Sequence, residues 1–263
     1  MSRKLSQDEV RTFWTEQSRT HGQSHAASWS DRPAMELEIR EISSHLADGD
    51  RVLDVGCANG YSTVQFAQRR ELRIRGLDYV PEMIADANAR LKGVKTVGSV
   101  EFAVGDITQL QEPANHYDKV IAIRVLINLG TWERQLLALQ QCARVARPGG
   151  LVLLSEASLQ GWTSLNRFRR EWGLPDVPMP PFNEYLDEDK MRNADVPNLR
   201  LERIVDFSST YFVGTRVLKP LLIQALGAAV DVADPEMEWN RWFAQLPAFG
   251  DYGTQRLFVY KKS

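Results

Sequence analysis

Short apolar runs alternate with helix-like segments between residues 51 and 157, and this alternation restricts the fold more than any other feature. The first run extends from Arg51 to Val55, four more follow, and each is separated from the next by a turn or a segment with helical spacing. Strands that alternate with helices pair in parallel and carry helices on both faces of the sheet. We therefore predict an α/β fold with a doubly wound, mostly parallel sheet of seven strands.

The sequence on either side of this region divides the chain into four parts. The run from Leu5 to Glu9 resembles a helix start. The alternation of apolar runs and helix-like segments stops after residue 157, in a segment rich in aromatic residues and proline. Apolar runs resume at Leu199 and at Arg256, with a helix predicted from Val213 to Leu226 between them. The predicted parts are an N-terminal helical lid (1–50), the core (51–157), a cap or substrate insertion after strand five (158–198), and the closing strands and helix of the core (199–263).

Composition excludes several classes of protein. The formal net charge is −2, with 32 Lys and Arg residues against 34 Asp and Glu residues, so the basic excess of a nucleic-acid-binding protein is absent. The chain has only two cysteines, Cys57 and Cys142, which argues against a disulfide scaffold or a cysteine-rich zinc site. We predict no metal, no nucleic acid and a small-molecule substrate.

Targeting segments are not evident in the sequence. The first ten residues contain no apolar stretch like that of a signal peptide. No run of about 18 apolar residues occurs that could form a transmembrane helix. We therefore expect a cytoplasmic protein that is not embedded in a membrane.

The residues from Val52 to Gly60 carry the strongest local signal, a strand that enters a glycine-bearing turn and then a helix. Glycine lets the backbone approach a ligand closely, and a helix N-terminus favours polar or anionic groups. The spacing is G-x-A-x-G, and Asp54 stands two positions before the first glycine, Gly56. A dinucleotide-binding loop would instead read G-x-G-x-x-G.

This segment resembles motif I of class I S-adenosyl-L-methionine (SAM)-dependent methyltransferases, with Ala58 where the family usually has a middle glycine. The resemblance covers about residues 51–157 with specific motifs, and the closing strands more loosely. It implies a Rossmann-like core that binds SAM, with Asp54 near the cationic amino group of the cofactor, and a small-molecule acceptor.

Acidic residues at the ends of the next two strands fit the same cofactor. Asp78 ends the second strand, where a carboxylate can accept hydrogen bonds from ribose hydroxyls, although NAD enzymes place an acid there as well. In the family, an acid after the third strand faces the adenine amino group beside an apolar neighbour, and Asp106 and Ile107 occupy those positions. The predicted cofactor-binding residues are Trp14, Asp54, Gly56, Ala58, Gly60, Asp78, Tyr79, Met83, Asp106, Ile107 and Arg124.

Aromatic and histidine residues before the core predict a lid over the cofactor. A ring such as that of Trp14 either stabilises a sulfonium through a cation–π contact of roughly 0.5–2 kcal/mol or simply packs the first helix. His21 is a candidate general base near neutral pH. The predicted acceptor contacts are His25, Trp29, Tyr185 and Tyr211.

Two polar residues follow adjacent strands of the core. Asn128 follows the fourth strand and Glu156 ends the fifth, so we expect both to face one cavity. Glu156 is then placed to orient or deprotonate a hydroxyl or amine, and Asn128 to hold the methionine moiety or the acceptor. With His21, these are the predicted catalytic residues.

The sequence leaves several functions open. Methyl transfer to an oxygen or nitrogen atom of a small molecule, of natural-product or sugar type, is the predicted function. Some enzymes of this fold instead cyclise SAM to azetidine-2-carboxylate and methylthioadenosine, and the aromatic-rich N-terminus and cap are compatible with that reaction. A SAM-binding regulatory protein without catalysis is a third reading, and a nicotinamide oxidoreductase is disfavoured by Asp54 and the glycine spacing.

A leucine stripe near the C-terminus bears on oligomeric state. Leu221, Leu222 and Leu226 lie at helical spacing. They either form the contact face of a homodimer or belong to a core helix.

Overall fold

A seven-stranded sheet forms the centre of the protein in a computed structural model that describes residues 3–227 and 231–263. Residues 1–2 and 228–230, in the first and last predicted parts, lie outside this description. The strands are β1 (Arg51–Val55), β2 (Arg73–Asp78), β3 (Ser99–Val104), β4 (Tyr117–Ile123), β5 (Ala146–Ala157), β6 (Leu199–Val205) and β7 (Gln255–Lys262).

The strand order is β3-β2-β1-β4-β5-β7-β6. The pairs from β3 through β5 are parallel, and β7 runs antiparallel to both β5 and β6. The predicted doubly wound, mostly parallel sheet is therefore confirmed. Because β1 to β4 are parallel, their carboxyl ends meet at one edge, where ligands bind in sheets of this kind.

Ten α-helices are assigned in the described residues. They are α1 (Gln7–His21), α2 (Arg32–Ser43), α3 (Tyr61–Arg69), α4 (Pro81–Lys92), α5 (Trp132–Val145), α6 (Leu159–Glu171), α7 (Glu188–Arg192), α8 (Ser209–Val213), α9 (Lys219–Leu226) and α10 (Glu238–Phe243). The predicted start of α1 is confirmed by a capping box: the Glu9 amide donates to Ser6 Oγ at 3.3 Å, and the Ser6 amide donates to the Glu9 carboxylate at 2.8 Å.

Side chains that alternate along the strands form one apolar core on each face of the sheet. In β1, Leu53 packs with α5 on one face, whereas Val52 packs with α2 and α3 on the other. Burying a leucine or valine side chain contributes about 1.5–3 kcal/mol. Leu165 of α6 is fully buried in the second core, so the segment predicted as an insertion contains a helix that packs on the sheet.

The segment predicted as a single helix from Val213 to Leu226 consists of α8, a π-helical turn (Gly214–Leu218) and α9. Pro220 has no N–H to donate to the carbonyl of Arg216, the residue four positions before it. That carbonyl accepts a hydrogen bond from the guanidinium of Arg169 instead. The proline therefore explains the break in the helical hydrogen-bond ladder.

The leucine stripe is divided between core and surface. Leu221 packs against the second apolar core, whereas Leu222 is exposed and Leu226 is 78% exposed. Within residues 3–227 and 231–263, no helix combines the length and apolar character that a membrane crossing requires.

Candidate cofactor and acceptor site

A cavity of about 220 Å³ lies between the carboxyl ends of β1 to β4 and the helix α1. The structure brings these predicted site residues together around it: Trp14, Gly56, Ala58, Asp78, Tyr79, Met83, Asp106, Ile107, Arg124 and Asn128. The other lining residues are Gln7, Asp8, Arg11, Ser28, Val55, Gly105, Ile123, Val125, Leu129 and Arg134. The cavity therefore has one wall from the strand ends and a second from the N-terminal helix.

The loop after β1 requires glycine at its two ends. Gly56 has φ +75°, and a Cβ there would lie 2.2 Å from Cγ2 of Val125. Gly60 has φ +72°, and a Cβ there would lie 2.7 Å from Cζ of Phe102. Only Gly56 lines the cavity, so Gly60 acts by letting the loop turn closely over Phe102.

Asp78 joins this loop to the end of β2. Its Oδ2 accepts from the Ala58 amide and its Oδ1 from the Val80 amide, each at 2.9 Å. Burial raises the pKa of this carboxyl to about 6, although the backbone hydrogen bonds favour the ionised form. A carboxylate has about four acceptor positions, so Asp78 keeps capacity for the ribose hydroxyls of SAM.

Asp54 lies beside the cavity. It is 1% exposed and lines a smaller chamber, which shares Gly56 and Ala58 with the main cavity. Its Oδ2 accepts from the Thr63 hydroxyl at 2.6 Å, but its buried Oδ1 has no hydrogen-bond partner within residues 3–227 and 231–263. Burial raises the pKa of this carboxyl to about 6. An unpartnered carboxylate oxygen fits the cationic amino group of SAM, so the residues present suit this cofactor.

The loop after β3 supplies a polar and an apolar group. Asp106 Oδ1 accepts from the amide and the hydroxyl of Thr108, both at 2.7 Å, and starts a 3-10 turn. Ile107 is buried and lines the cavity. A flat base with an amino group would find an acceptor and an apolar surface here.

The predicted lid helix α1 is fastened to the core on two sides. On one side, Asn59 Nδ2 donates to the carbonyls of Gly22 and Ser24 at 2.8 and 2.7 Å, and the Ser18 hydroxyl donates to Asp86 at 2.7 Å. On the other side, Gln7 Nε2 donates to the backbone carbonyl of Asn128 at 3.2 Å. Because Asn59 belongs to the loop after β1, the lid and the cofactor loop are held together.

Trp14 covers the cavity from α1. Its ring packs with Ala58, Tyr79 and Met83, and it meets the ring of Phe182 edge-on with centroids 5.8 Å apart. The aromatic face predicted above the cofactor is therefore held by contacts from both the core and the segment after β5.

Arg124 ends β4 in a left-handed conformation, with φ +55°. Its guanidinium pairs with Glu38, which is 0% exposed, and lies 4.9 Å from the ring of Trp29. Glu38 Oε1 also accepts from the Ser155 hydroxyl at 2.6 Å and from Gln255 Nε2 at 2.9 Å. The charge of Arg124 is thus neutralised at the floor of the cavity.

Glu156 does not face the cavity, contrary to the sequence-based expectation. It is fully buried, and its carboxylate accepts hydrogen bonds of 2.8–3.3 Å from the amides of Val125, Leu126 and Ile127. Burial raises its pKa to about 8, and these hydrogen bonds act in the opposite direction. Glu156 therefore shapes the turn that carries Asn128, and the structure places it where it contacts no acceptor.

The histidines and Trp29 are also absent from the residues that line the cavity. His21 is the last residue of α1, and His25 lies 3.9 Å from Glu236 with its ring against Tyr61. Trp29 packs in the second apolar core beneath Arg124. The structure does not bring these three residues to the acceptor.

The two tyrosines predicted to contact the acceptor, Tyr185 and Tyr211, make their contacts inside the fold. Tyr185 packs against the first apolar core and meets Trp162 edge-on. Tyr211 is 1% exposed; its hydroxyl contacts Asp31 and accepts from Asn240 Nδ2 at 3.1 Å. Since that hydroxyl is satisfied inside the fold, the structure does not place Tyr211 at the acceptor.

The end of the cavity near α1 and α5 is polar and incompletely hydrogen-bonded. Asn128 Nδ2 donates to the carbonyl of Arg124 at 2.6 Å, whereas its buried Oδ1 has no partner among the described residues. Arg134 donates through Nη2 to Gln7 Oε1 at 3.3 Å, and its buried Nε has no acceptor in the part of the chain that the structure describes. We call Gln7, Asn128 and Arg134 the polar end of the cavity.

Sequence reasoning missed the lining residues of α1 other than Trp14. Gln7 and Arg11 lie seven and three positions before Trp14, which places all three on one helical face. That spacing would have identified them once Trp14 was chosen. Arg134 gave no such signal, because it belongs to no motif.

Comparison with known proteins identifies methyltransferases. Residues 52–150 match a family model described as a methyltransferase domain. The chain is similar to the O-methyltransferase resE of Aspergillus sclerotiorum, 26% identical over 190 residues that cover 67% of this chain and 71% of that protein. It is similar to the 27-O-demethylrifamycin SV methyltransferase of Amycolatopsis mediterranei, 29% identical over 140 residues that cover 50% of each, so this match spans half of that relative.

The fold is also similar to a solved structure with a bound ligand. Magnesium protoporphyrin IX methyltransferase (ChlM) from Synechocystis PCC 6803, with bound SAH, superimposes with a TM-score of 0.62 over 98% of this chain and 100% of that one. The sequences are 18% identical, so this likeness establishes the fold.

Proposed function

Because this chain belongs to the class I SAM-dependent methyltransferase superfamily and binds SAM, we propose that it transfers the methyl group to an oxygen or nitrogen atom of a small molecule. One observation carries the proposal: Asn128 Oδ1 is a buried acceptor without a partner, in the cavity that Asp78 lines. Such an atom is suited to a hydroxyl or amine donor.

The chain's own residues supply orientation and exclusion of water. SAM, when bound, supplies a methyl group on a sulfonium, a good leaving group. Asp78, Asp54 and Asp106 hold the donor, and Trp14 covers it. Asn128 accepts a hydrogen bond from the acceptor's O–H or N–H, which orients the nucleophilic lone pair. Holding two reactants in this way lowers a barrier chiefly through proximity.

A protonated nucleophile must also lose its proton. Asp8 lines the cavity from α1, and its carboxylate is exposed, unlike that of the buried Glu156. We assign proton acceptance to Asp8, directly or through a water molecule: a hydroxyl passes its only proton from the hydrogen bond with Asn128 to Asp8 as the methyl group is transferred, whereas an amine donates to Asp8 an N–H that Asn128 does not bind. This assignment replaces Glu156 and His21 in the catalytic role.

The type of acceptor is supported by the relatives. One is named an O-methyltransferase, and another acts, by its name, on 27-O-demethylrifamycin SV. We propose an acceptor of natural-product or sugar type on this basis. Membership in the superfamily and these relatives favour methyl transfer over cyclisation of SAM.

Product analysis tests the proposal. Purified protein is incubated with SAM alone and then with a panel of hydroxyl- and amine-bearing small molecules, and products are identified by mass spectrometry. We expect S-adenosylhomocysteine (SAH) and a methylated acceptor, with at least a tenfold lower rate in Asn128→Ala and little change in Asn193→Ala, an exposed control. Methylthioadenosine formed without an acceptor would establish the cyclising reaction, and intact SAM with every acceptor would favour a regulatory protein.

Two further expectations remain proposals. We propose a cytoplasmic location, supported by two buried free cysteines, Cys57 and Cys142. We propose a homodimer in which the exposed Leu222 and Leu226 take part. Sedimentation of the wild type against Leu226→Ser tests the second proposal, and a wild-type monomer at micromolar concentration would contradict it.

A further inference from the structure

We propose that Arg134 determines acceptor specificity by binding a carboxylate, so that the acceptor is a small hydroxy or amino acid. This inference rests on the proposed function and adds the chemical class of the substrate. It depends on the arrangement of Gln7, Asn128 and Arg134 at the polar end of the cavity.

Arg134 is a cation that lacks an internal counter-ion. Among residues 3–227 and 231–263, no carboxylate lies within ion-pair distance of its guanidinium. Within this part of the chain its one side-chain hydrogen bond is that from Nη2 to Gln7 Oε1 at 3.3 Å, and its buried Nε–H has no acceptor there. A guanidinium has five N–H donors arranged to meet a carboxylate with two parallel hydrogen bonds.

The other two arginines that line the cavity already have partners. Arg124 is paired with Glu38, and Arg11 lies 5.8 Å from the Tyr79 ring and donates to that residue's carbonyl at 3.3 Å. Asp78 and Asp106 each accept hydrogen bonds from nearby residues in their loops. The guanidinium of Arg134 is therefore the cation at the polar end that is available to a ligand.

Its position also disfavours a purely structural role. Arg134 lies in the first turn of α5, where the helix dipole opposes a positive charge. Thr131 caps this helix by accepting from the Arg134 amide at 3.4 Å, so the side chain is not needed for capping. A bound anion at this position would interact favourably with both the guanidinium and the helix end.

Gln7 sets the spacing between the two ligand groups. It donates to the carbonyl of Asn128 at 3.2 Å and accepts from Arg134 at 3.3 Å, so it bridges the two residues. An acceptor whose O–H or N–H meets Asn128 Oδ1 in this cavity would carry its carboxylate toward Arg134, which lines the same cavity. Hydroxy acids and amino acids of small size have this arrangement.

Binding of matched acids and amides tests the inference. Wild type, Arg134→Gln and the exposed control Arg69→Gln are saturated with SAH and titrated by calorimetry. The probes are hydroxybenzoates, aminobenzoates and hydroxyphenylacetates, each paired with its carboxamide. We expect wild type and Arg69→Gln to bind at least one acid about tenfold more tightly than its amide, and Arg134→Gln to lose that preference.

Two results would overturn the inference. Equal binding of every acid and its amide by the wild type would show that no carboxylate is recognised. A tenfold weaker affinity of Arg134→Gln for SAH itself would assign the arginine to the carboxylate of the cofactor. Failure of the wild type to bind SAH would contradict the proposed function instead, so the two failures are distinguishable.

Discussion

The side-chain amide of Asn59 donates to the carbonyl of Gly22 at 2.8 Å, which joins the loop that begins the cofactor site to the end of the helix that covers it. A second bond from the same nitrogen reaches the carbonyl of Ser24 at 2.7 Å. One buried side chain therefore couples the loop after β1, which supplies Gly56 and Ala58 to the cavity, to the C-terminal end of α1.

Loss of this side chain should loosen the lid. In Asn59→Ala, the carbonyls of Gly22 and Ser24 lose a donor that is itself buried, and we expect the free energy of unfolding to fall by about 1–3 kcal/mol. Amide hydrogen exchange across residues 7–28 should become faster, and SAH should dissociate more quickly. Asn88→Ala, which removes a bond within α4, is the control. Unchanged exchange in the lid would show that α1 is held by its other contacts.

Removal of the Asp78 carboxylate should weaken the cofactor complex sharply. We expect Asp78→Ala to raise the Kd for SAH at least tenfold by calorimetry, because the ribose hydroxyls lose a charged acceptor. The exposed Asp195→Ala is a matched control. An unchanged Kd would remove Asp78 from the cofactor site.

The raised pKa of the Asp78 carboxyl predicts that the binding of SAH depends on pH. Burial raises the pKa of Asp78 and of Asp54 to about 6. The ionised form of each accepts stronger hydrogen bonds than the neutral acid, and it carries the negative charge that attracts an ammonium group. Affinity for SAH should therefore decrease as the pH falls through about 6. Asp78→Asn should flatten this dependence in part. A Kd that is constant from pH 5 to 8 in the wild type would contradict the assignment.

The variant Glu156→Gln tests whether Glu156 has a structural role or acts as the catalytic base. The pKa of Glu156 is raised to about 8 in the fold from an ordinary 4.5, so the folded state keeps a proton that the unfolded state releases. The free energy of unfolding should thus fall as the pH rises between 4.5 and 8, and the variant should lose much of this slope between 6 and 8. Urea unfolding at several pH values measures this change in the free energy of unfolding. Turnover should change by less than tenfold, and a thousandfold loss would restore Glu156 as the base.

Gly56→Ala should damage the site more than an equally strained substitution elsewhere. Gly56 and Gly49 both have positive φ, but a Cβ at Gly49 meets nothing within 4 Å, whereas one at Gly56 lies 2.2 Å from Val125. We expect both alanine variants to be destabilised by about 1 kcal/mol or more, and only Gly56→Ala to lose SAH binding. Equal binding by the two variants would show that the close approach is unimportant.

Topology explains which site residues could be predicted from the sequence. Gly56, Asp78 and Asp106 follow consecutive parallel strands, so knowledge of the strands alone places them at one edge. The same reasoning placed Glu156 there. It failed because the amides of residues 125–127 surround that carboxylate, and such a turn cannot be read from the sequence of β5.

Contacts between distant segments explain what could not be predicted. At the edge of the cavity, Arg134 donates a hydrogen bond to Gln7, which is 127 positions away in the chain. Tyr211 is withdrawn from the acceptor by Asp31, which is 180 positions away. Neither pairing has a local pattern, since each depends on how the lid and the C-terminal helices pack on the sheet.

Glu38, which pairs with Arg124 at the floor of the cavity, is held by residues that lie far apart in the chain and outside any motif. Its carboxylate is held jointly by Arg124 at the end of β4, Ser155 of β5 and Gln255 of β7. The floor is complete only when the first residue of the last strand has docked. The contacts that fix Arg124 at the floor of the cavity therefore include the C-terminal strand, so this part of the site depends on both halves of the chain.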